Sequence, residues 1–306
     1  MVKIAYLILC HTDPAHIARL SRKVTTGTEN QVFIHTDAKA NENEFKDALN
    51  GYPQAHFIED RVSVHWGGFS SVVATINLME AALKAGKFDR YVLLQGLDYP
   101  IKSNQEIDAF FMEHKDTEFL LAQNISQSHN WHEIHKYYLR WDLDNRTFFN
   151  TVLRKFNALI LKTHHIPHFH KNYVEDRDGN RMDIHQGCAQ FGLTEDAVRY
   201  ILDFYHNNEQ FNRRFTSIYT PDELYFHTIL YNSKFIDRTP WGRAEEKPAL
   251  GYFENLTYFE YPVTVTLFTD PADWPKLKET GFLYFRKASS ESKKLLDLID
   301  QEHGYA

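Results

Sequence analysis

"RYVLLQGLDYP", Arg90 to Pro100, sets the class of the fold. From Tyr91 to Leu94 it is an unbroken apolar run of strand length, without the in-and-out alternation of a strand that faces water on one side. Such a strand is covered on both faces. It breaks at Gly96 and turns through Asp98 and Pro100, punctuation that closes a strand. Working outward, "KIAYLILC" (3–10) has the same form, and "QVFIHTD" (31–37) ends in His35, Thr36 and Asp37. Helical patterns lie between and after these runs. "TDPAHIARLSRKV" (12–24) offers Thr12 or Asp13 as N-cap and Pro14 in the first turn. "WGGFSSVVATINLMEAALKAG" (66–86) opens on two glycines and keeps helical spacing from Phe69 to Lys84. "SNQEIDAFFMEH" (103–114) reads as a capped helix and "EFLLAQ" (118–123) as a further strand. Strands interleaved with helices make an α/β fold, a mostly parallel central sheet flanked by helices. Its ligands are expected at the carboxyl ends of the strands, which carry His11-Thr12-Asp13, His35-Thr36-Asp37 and Gly96-Leu97-Asp98.

The pattern weakens from Ser126 to Arg181, where His-rich and aromatic residues surround one amphipathic segment, "FFNTVLRKFNALILKTHH" (148–165). It returns with "GCAQFGLTEDAVRYILDFY" (187–205), a short strand and a helix capped by Thr194. After that come "IYTPDELYFHTIL" (218–230), "LTYFEYPVTVTLF" (256–268), "FLYFRKAS" (282–289) and a last helix ending near Gln301. With neither repeat nor linker, residues 1–306 read as one domain. The 306 residues carry a formal net charge of −7, a balance that excludes the basic surplus of a dedicated nucleic-acid binder. Only Cys10 and Cys188 occur, too few for a disulfide framework or a four-cysteine zinc site. The seven apolar residues from Ile4 to Cys10 are too few to span a membrane, and no small-residue cleavage site follows. The expected location is cytoplasmic.

Several chemical signatures are missing. There is no P-loop, no Gly-x-Gly-x-x-Gly and no Gly-x-Ser-x-Gly elbow. His164, His165, His168 and His170 lack a carboxylate or cysteine at ligand spacing and read as a solvated loop. Asp-x-Asp, the metal grip of many nucleotide-sugar transferases, occurs as Asp142-Leu143-Asp144 and Asp176-Arg177-Asp178. Neither follows a buried strand, so no metal site is expected. Arg286 and Lys287, after the apolar "GFLYF", could meet a phosphate or simply be surface cations.

Thr220-Pro221-Asp222-Glu223 has the form of a capping box, with Thr220 as N-cap, Pro221 at N1 and Glu223 reaching back to the Thr220 N–H. A carboxylate there that faces a cleft can equally serve as a general base. Local rules leave both readings open.

The ordered set "YLILCH", "VFIHTDAK", "VHWGGFSSVVATINLMEAAL", "RYVLLQGLDYPIKSNQEI", "GCAQFGLTEDAVRYIL", "YTPDELYFHTIL" and "FLYFRK" resembles the core-2/I-branching β-1,6-N-acetylglucosaminyltransferases and their peptide O-xylosyltransferase relatives. The resemblance runs from the first strand to the last helix. Its most specific elements are Gly-x-Asp-[Phe/Tyr]-Pro-Ile-Lys, at Gly96 to Lys102, and Pro-Asp-Glu, at Pro221 to Glu223. It implies a GT-A-like glycosyltransferase fold without the Asp-x-Asp metal site, and inverting, metal-independent transfer from a UDP-sugar to a hydroxyl of a glycan acceptor. Residues 1–125 would be the nucleotide-sugar half and 126–306 the acceptor and catalytic half. Glu223 would be the catalytic base, and Lys287, with Arg286, would meet the diphosphate. Asp37 and His35 of the His-x-Asp element are expected at the uridine, and Trp66 and Ser71 along the nucleotide pocket. Asp98 would mark the donor-site turn or serve that turn structurally.

The sequence departs from the family in places. A second diphosphate cation has no match between Tyr261 and Phe268, which leaves Arg286, Arg238 or Arg243 to compensate. Phe191 and Gly192 stand where relatives carry bulkier pairs. Tyr258 and Tyr261, with Trp131, Glu133, Arg140 and Trp141 of the irregular region, are the candidates for shaping the acceptor site. The resulting expectation is UDP-GlcNAc as donor and a β-1,6 linkage, with UDP-xylose second, in surface-polysaccharide synthesis at the inner face of the membrane, with peripheral association. No cofactor beyond the co-substrate is expected. A non-catalytic nucleotide- or sugar-binding protein on the same fold is the alternative.

Overall fold

The computed structural model describes residues 1–127, 142, 148, 151–153, 155, 156, 159, 171–242, 256–260 and 267–305. Strand β1 (Ile4–Cys10) is the centre of a five-stranded sheet. β2 (Gln31–Thr36) and then β3 (Ala55–Phe57) lie on one side of it, and β4 (Arg90–Gln95) lies on the other. These four strands are parallel. Gly192–Leu193 closes the β4 edge in the antiparallel sense.

The unbroken apolar runs follow from burial on both faces. Tyr6 and Ile8 of β1 pack with Ile17, Leu20 and Val24 of α1 (Pro14–Thr25), together with α2 (Glu42–Leu49) through Phe45 and Leu49. Ala5 and Leu7, one residue out of phase, pack with Val72, Ile76 and Met79 of α3 (Ser70–Ala85). Each such fully buried large side chain contributes about 1.5–3 kcal/mol. Asp13 caps α1 by accepting from the His16 amide at 3.1 Å, and Ser103 with Glu106 forms a capping box on α4 (Asn104–Glu113). The chain leaves β1 for β2 on one side and returns through α3 to β4 on the other. Strand order therefore reverses at β1, and the crevice at the carboxyl ends of β1 and β4 is where such sheets receive ligands.

Three expectations are corrected. The residues after β4 are no free turn, because Asp98–Pro100 forms β5, antiparallel to Tyr284–Arg286, which in turn runs parallel to Thr257–Phe259. "EFLLAQ" does not extend the central sheet. Its carboxylate Glu118 is fully buried, accepting from the Thr194 amide and hydroxyl at 2.9 and 2.7 Å and pairing with Arg238 at 2.7 Å. Only an isolated bridge at Phe119 reaches Gly192, and the strand proper, Ala122–Asn124, pairs with His185–Gly187. "GCAQFGL" is likewise divided, since only Gly192–Leu193 stays in the main sheet.

The pairing of Ala122–Asn124 with His185–Gly187 requires a bare backbone at Gly187. A Cβ there would overlap the Leu121 carbonyl oxygen and come within 2.7 Å of His227 Nε2. Gly187→Ala is expected to cost about 3 kcal/mol in urea unfolding. A loss below about 1 kcal/mol would show that this strand pair can open without penalty.

Candidate active site

The stretch "IYTPDELYFHTIL" folds in two pieces. Pro221–Glu223 is a single 3₁₀ turn, and the α-helix proper is Tyr225–Tyr231. Thr220 sits in the left-handed region, at φ 46° and ψ 55°, which is uncommon for a β-branched residue. Its N–H donates to the Gly67 carbonyl at 3.1 Å and its side chain accepts no amide, so the expected capping box is absent. The Glu223 amide closes the turn on the Thr220 carbonyl at 3.0 Å, and the Thr220 side chain hydrogen-bonds the Glu223 carboxylate. The conformation that forfeits the cap releases Glu223 from the helix end.

The two glycines of "WGG" explain how this turn is held. Gly67, at φ 78°, would place a Cβ 2.7 Å from the Tyr219 ring, so only glycine lets the two segments meet. Trp66, 73% exposed, stands edge-on to Tyr219 with ring centroids 5.3 Å apart. Ser71 is buried, its single hydroxyl proton shared between the Gly68 carbonyl at 2.9 Å and the Asp222 carboxylate. Both residues therefore pack against the turn that carries Glu223. Asp142 accepts from the Phe69 and Ser70 amides at 2.8 and 3.1 Å and so caps α3.

Burial pushes the Glu223 carboxyl up to about 7, and the Asp222 charge beside it adds to the rise. Gln186 and Thr220 pull the other way, Gln186 through a long hydrogen bond of 3.5 Å to Glu223 Oε2. Asp222 is itself pushed up to about 6 by burial, against the pull of backbone amides and Ser71. A carboxyl balanced near neutral pH is what proton abstraction from a hydroxyl requires.

The cationic side is built on β5 and its partner strand. Asp98 is fully buried, and its Oδ1 meets Arg286 Nη1 at 2.7 Å across the strand pair. Its Oδ2 accepts from the Gln95 amide at 2.8 Å and from Gln190 at 3.4 Å, and Gln190 in turn accepts from the Cys188 thiol at 3.1 Å. These contacts give Asp98 a structural part in its turn. Arg286 is no loose surface cation. Next to it, Lys287 has no ion-pair partner among the described residues, and burial together with the Arg286 charge pulls its pKa down. Burial pushes the Cys188 thiol up to about 12, and Glu223, Asp98 and Arg286 all act on it by charge, so these three groups surround one thiol.

Asp37 follows β2, its amide bonded to the Cys10 carbonyl at 2.8 Å and its carboxylate to Lys39 at 3.0 Å. His35 is fully buried and accepts from the Val62 amide at 3.0 Å, so it holds the loop and shows no surface to a ligand. Arg238 is taken up by Glu118, the Asp116 carbonyl and the Thr194 hydroxyl. The Tyr258 ring packs at 6.3 and 5.8 Å from those of Phe268 and Phe282. Trp131, Glu133, Tyr261, Arg140, Trp141, Arg243 and the histidine cluster lie outside the described residues. Sequence reasoning missed Gln186, Cys188 and Gln190, whose only signal was polarity inside a strand-like run. No group of three His, Cys, Asp or Glu side chains among the described residues is placed to hold a metal ion.

The family model for the Core-2/I-Branching enzyme matches residues 4–243. Xylosyltransferase 2 of Pan troglodytes is 24% identical over 239 residues, covering 76% of this chain and 25% of the relative. Xylosyltransferase sqv-6 of Caenorhabditis elegans is 22% identical over 210 residues, covering 67% and 23%. Xylosyltransferase 1 of Rattus norvegicus is 24% identical over 244 residues, covering 77% and 27%. The chain thus spans about a quarter of the length of these relatives.

The raised Glu223 pKa has a testable sign. The folded state keeps a proton that the unfolded carboxyl, at about 4.5, has lost, so this group's ionisation removes stability as pH rises from 4.5 through 7. Glu223→Gln should therefore match wild type near pH 4.5 and exceed it above pH 7, by on the order of 2 kcal/mol in urea unfolding. A uniform loss at every pH would instead mark the residue as a helix cap.

Proposed function

The chain belongs to the Core-2/I-branching enzyme family, whose fold is GT-A-like, and on that premise we propose that it is an inverting glycosyltransferase acting on a UDP-sugar. The observation that carries the reading is Glu223, its carboxyl raised to about 7, with Arg286 close enough to act on the same Cys188 thiol and Lys287 next to Arg286 in the chain. Glu223 takes the proton of the acceptor hydroxyl while that oxygen bonds to the anomeric carbon. The bond from that carbon to UDP breaks on the opposite side, and the diphosphate leaves with its charge met by Lys287 and, beside it, Arg286. The leaving group needs cations rather than a proton, so one carboxyl suffices.

We infer that the reaction needs no metal. Asp142, one acid of an Asp-x-Asp copy, caps α3, and Asp176, from the other copy, accepts from Asn180 and Asp178 within its own turn. Asp37 is the uridine contact in this reading. The proposed donor is UDP-GlcNAc, transferred in β-1,6 linkage to a glycan of a surface polysaccharide. UDP-xylose is the second reading, favoured by the names of the relatives. Two free thiols, Cys10 and Cys188, support a cytoplasmic setting.

UDP release from a panel of UDP-sugars, in EDTA, tests the proposal. Glu223→Gln should cut kcat by at least about 10²-fold with UDP affinity nearly unchanged. Lys287→Ala should weaken UDP binding by about tenfold or more. An absolute Mn²⁺ requirement would overturn the cation mechanism. UDP binding without turnover on any donor and acceptor would favour a binding protein on the same fold.

A further inference from the structure

Phe148, Val152, Phe156 and Leu159 are helical and lie 86, 45, 56 and 55% exposed. Their spacing places them on one face of a helix. Large apolar side chains scattered singly over a surface need no explanation, but four aligned on one face form a patch that marks a contact.

The charge of the surrounding sequence says what that contact is. From Arg146 to Val174 there are five Lys or Arg and four His residues and no Asp or Glu, in a chain whose net charge is −7. Lys155, exposed, belongs to this run. An apolar face set in a cationic segment matches an anionic lipid surface, with apolar groups inserted at the level of the headgroups and cations on the phosphates. A second copy of the chain fits poorly, because a symmetric contact would oppose two segments of like charge. No helix among the described residues is long and apolar enough to cross a membrane.

We propose that the face of Phe148, Val152, Phe156 and Leu159 is a membrane-surface contact that docks the protein on an anionic bilayer. Glu223 lies in the Pro221–Glu223 turn and Lys287 follows the strand Tyr284–Arg286, so neither belongs to this face.

Co-sedimentation of the full chain with vesicles tests this, comparing phosphatidylcholine alone with phosphatidylcholine containing phosphatidylglycerol. Binding to the anionic vesicles should be at least about tenfold tighter than to the neutral ones and should fall with salt. Lys155→Glu should weaken it about fivefold or more, and Phe148→Ser/Phe156→Ser at least about tenfold, with UDP affinity unchanged in both variants. The proposal is overturned if wild type ignores anionic vesicles or if the double variant binds as well as wild type. It is also overturned if sedimentation velocity shows a dimer that the double variant dissociates, which would give the face to a second copy.

Discussion

The ion pair between Asp98 and Arg286 is the contact on which the cleft depends. A fully buried carboxylate is tolerable only with a close cationic partner, and Arg286 meets it at 2.7 Å. Removing either partner alone would strand the other charge, a penalty of about 3–5 kcal/mol. The pair also has a geometric effect. It joins the segment after β4 to a strand nearly 190 residues further along, fixing Arg286 and hence Lys287 beside the switch point of the sheet. Gln190 and Cys188 continue the chain of contacts from Asp98 toward Glu223.

Glu223 faces two competing demands. A helix start would hold its carboxylate against a backbone amide, whereas the proposed proton abstraction needs that carboxylate available and close to neutral in pKa. Thr220 resolves the competition by adopting a left-handed conformation in which its N–H goes to Gly67. Such strain persists only where neighbouring structure enforces it, and here Gly67, Tyr219 and Trp66 supply the enforcement. The turn and the "WGG" loop are one device, drawn from two parts of the chain far apart in sequence.

Much of this was legible beforehand. The runs at 3–10, 31–37 and 90–95 announced buried parallel strands, because burial on both faces leaves no polar alternation. The start of α1, read as Thr12 or Asp13 and found at Asp13, and the capped start of α4 were local and therefore readable. β5 was read as a turn because a three-residue strand takes its identity from a distant partner. The capping box at Thr220 failed for the same reason, since the carbonyl of Gly67 captured the N–H that local rules reserved for Glu223. His35 was read as a nucleotide contact from its place in the motif, yet it faces inward to bond Val62. Gln186 and Gln190 carried no motif at all; only packing reveals what they touch.

In the proposed reaction Lys287, held by the Asp98–Arg286 pair, and Glu223 address one substrate from opposite sides. A crystal structure of the UDP complex measures this directly. The expected result is the diphosphate within hydrogen-bond distance of Lys287 Nζ, the uridine at Asp37 and the open side of the β-phosphate toward Glu223. A diphosphate bound through a metal ion at other acids, or lying away from both Lys287 and Glu223, would contradict it.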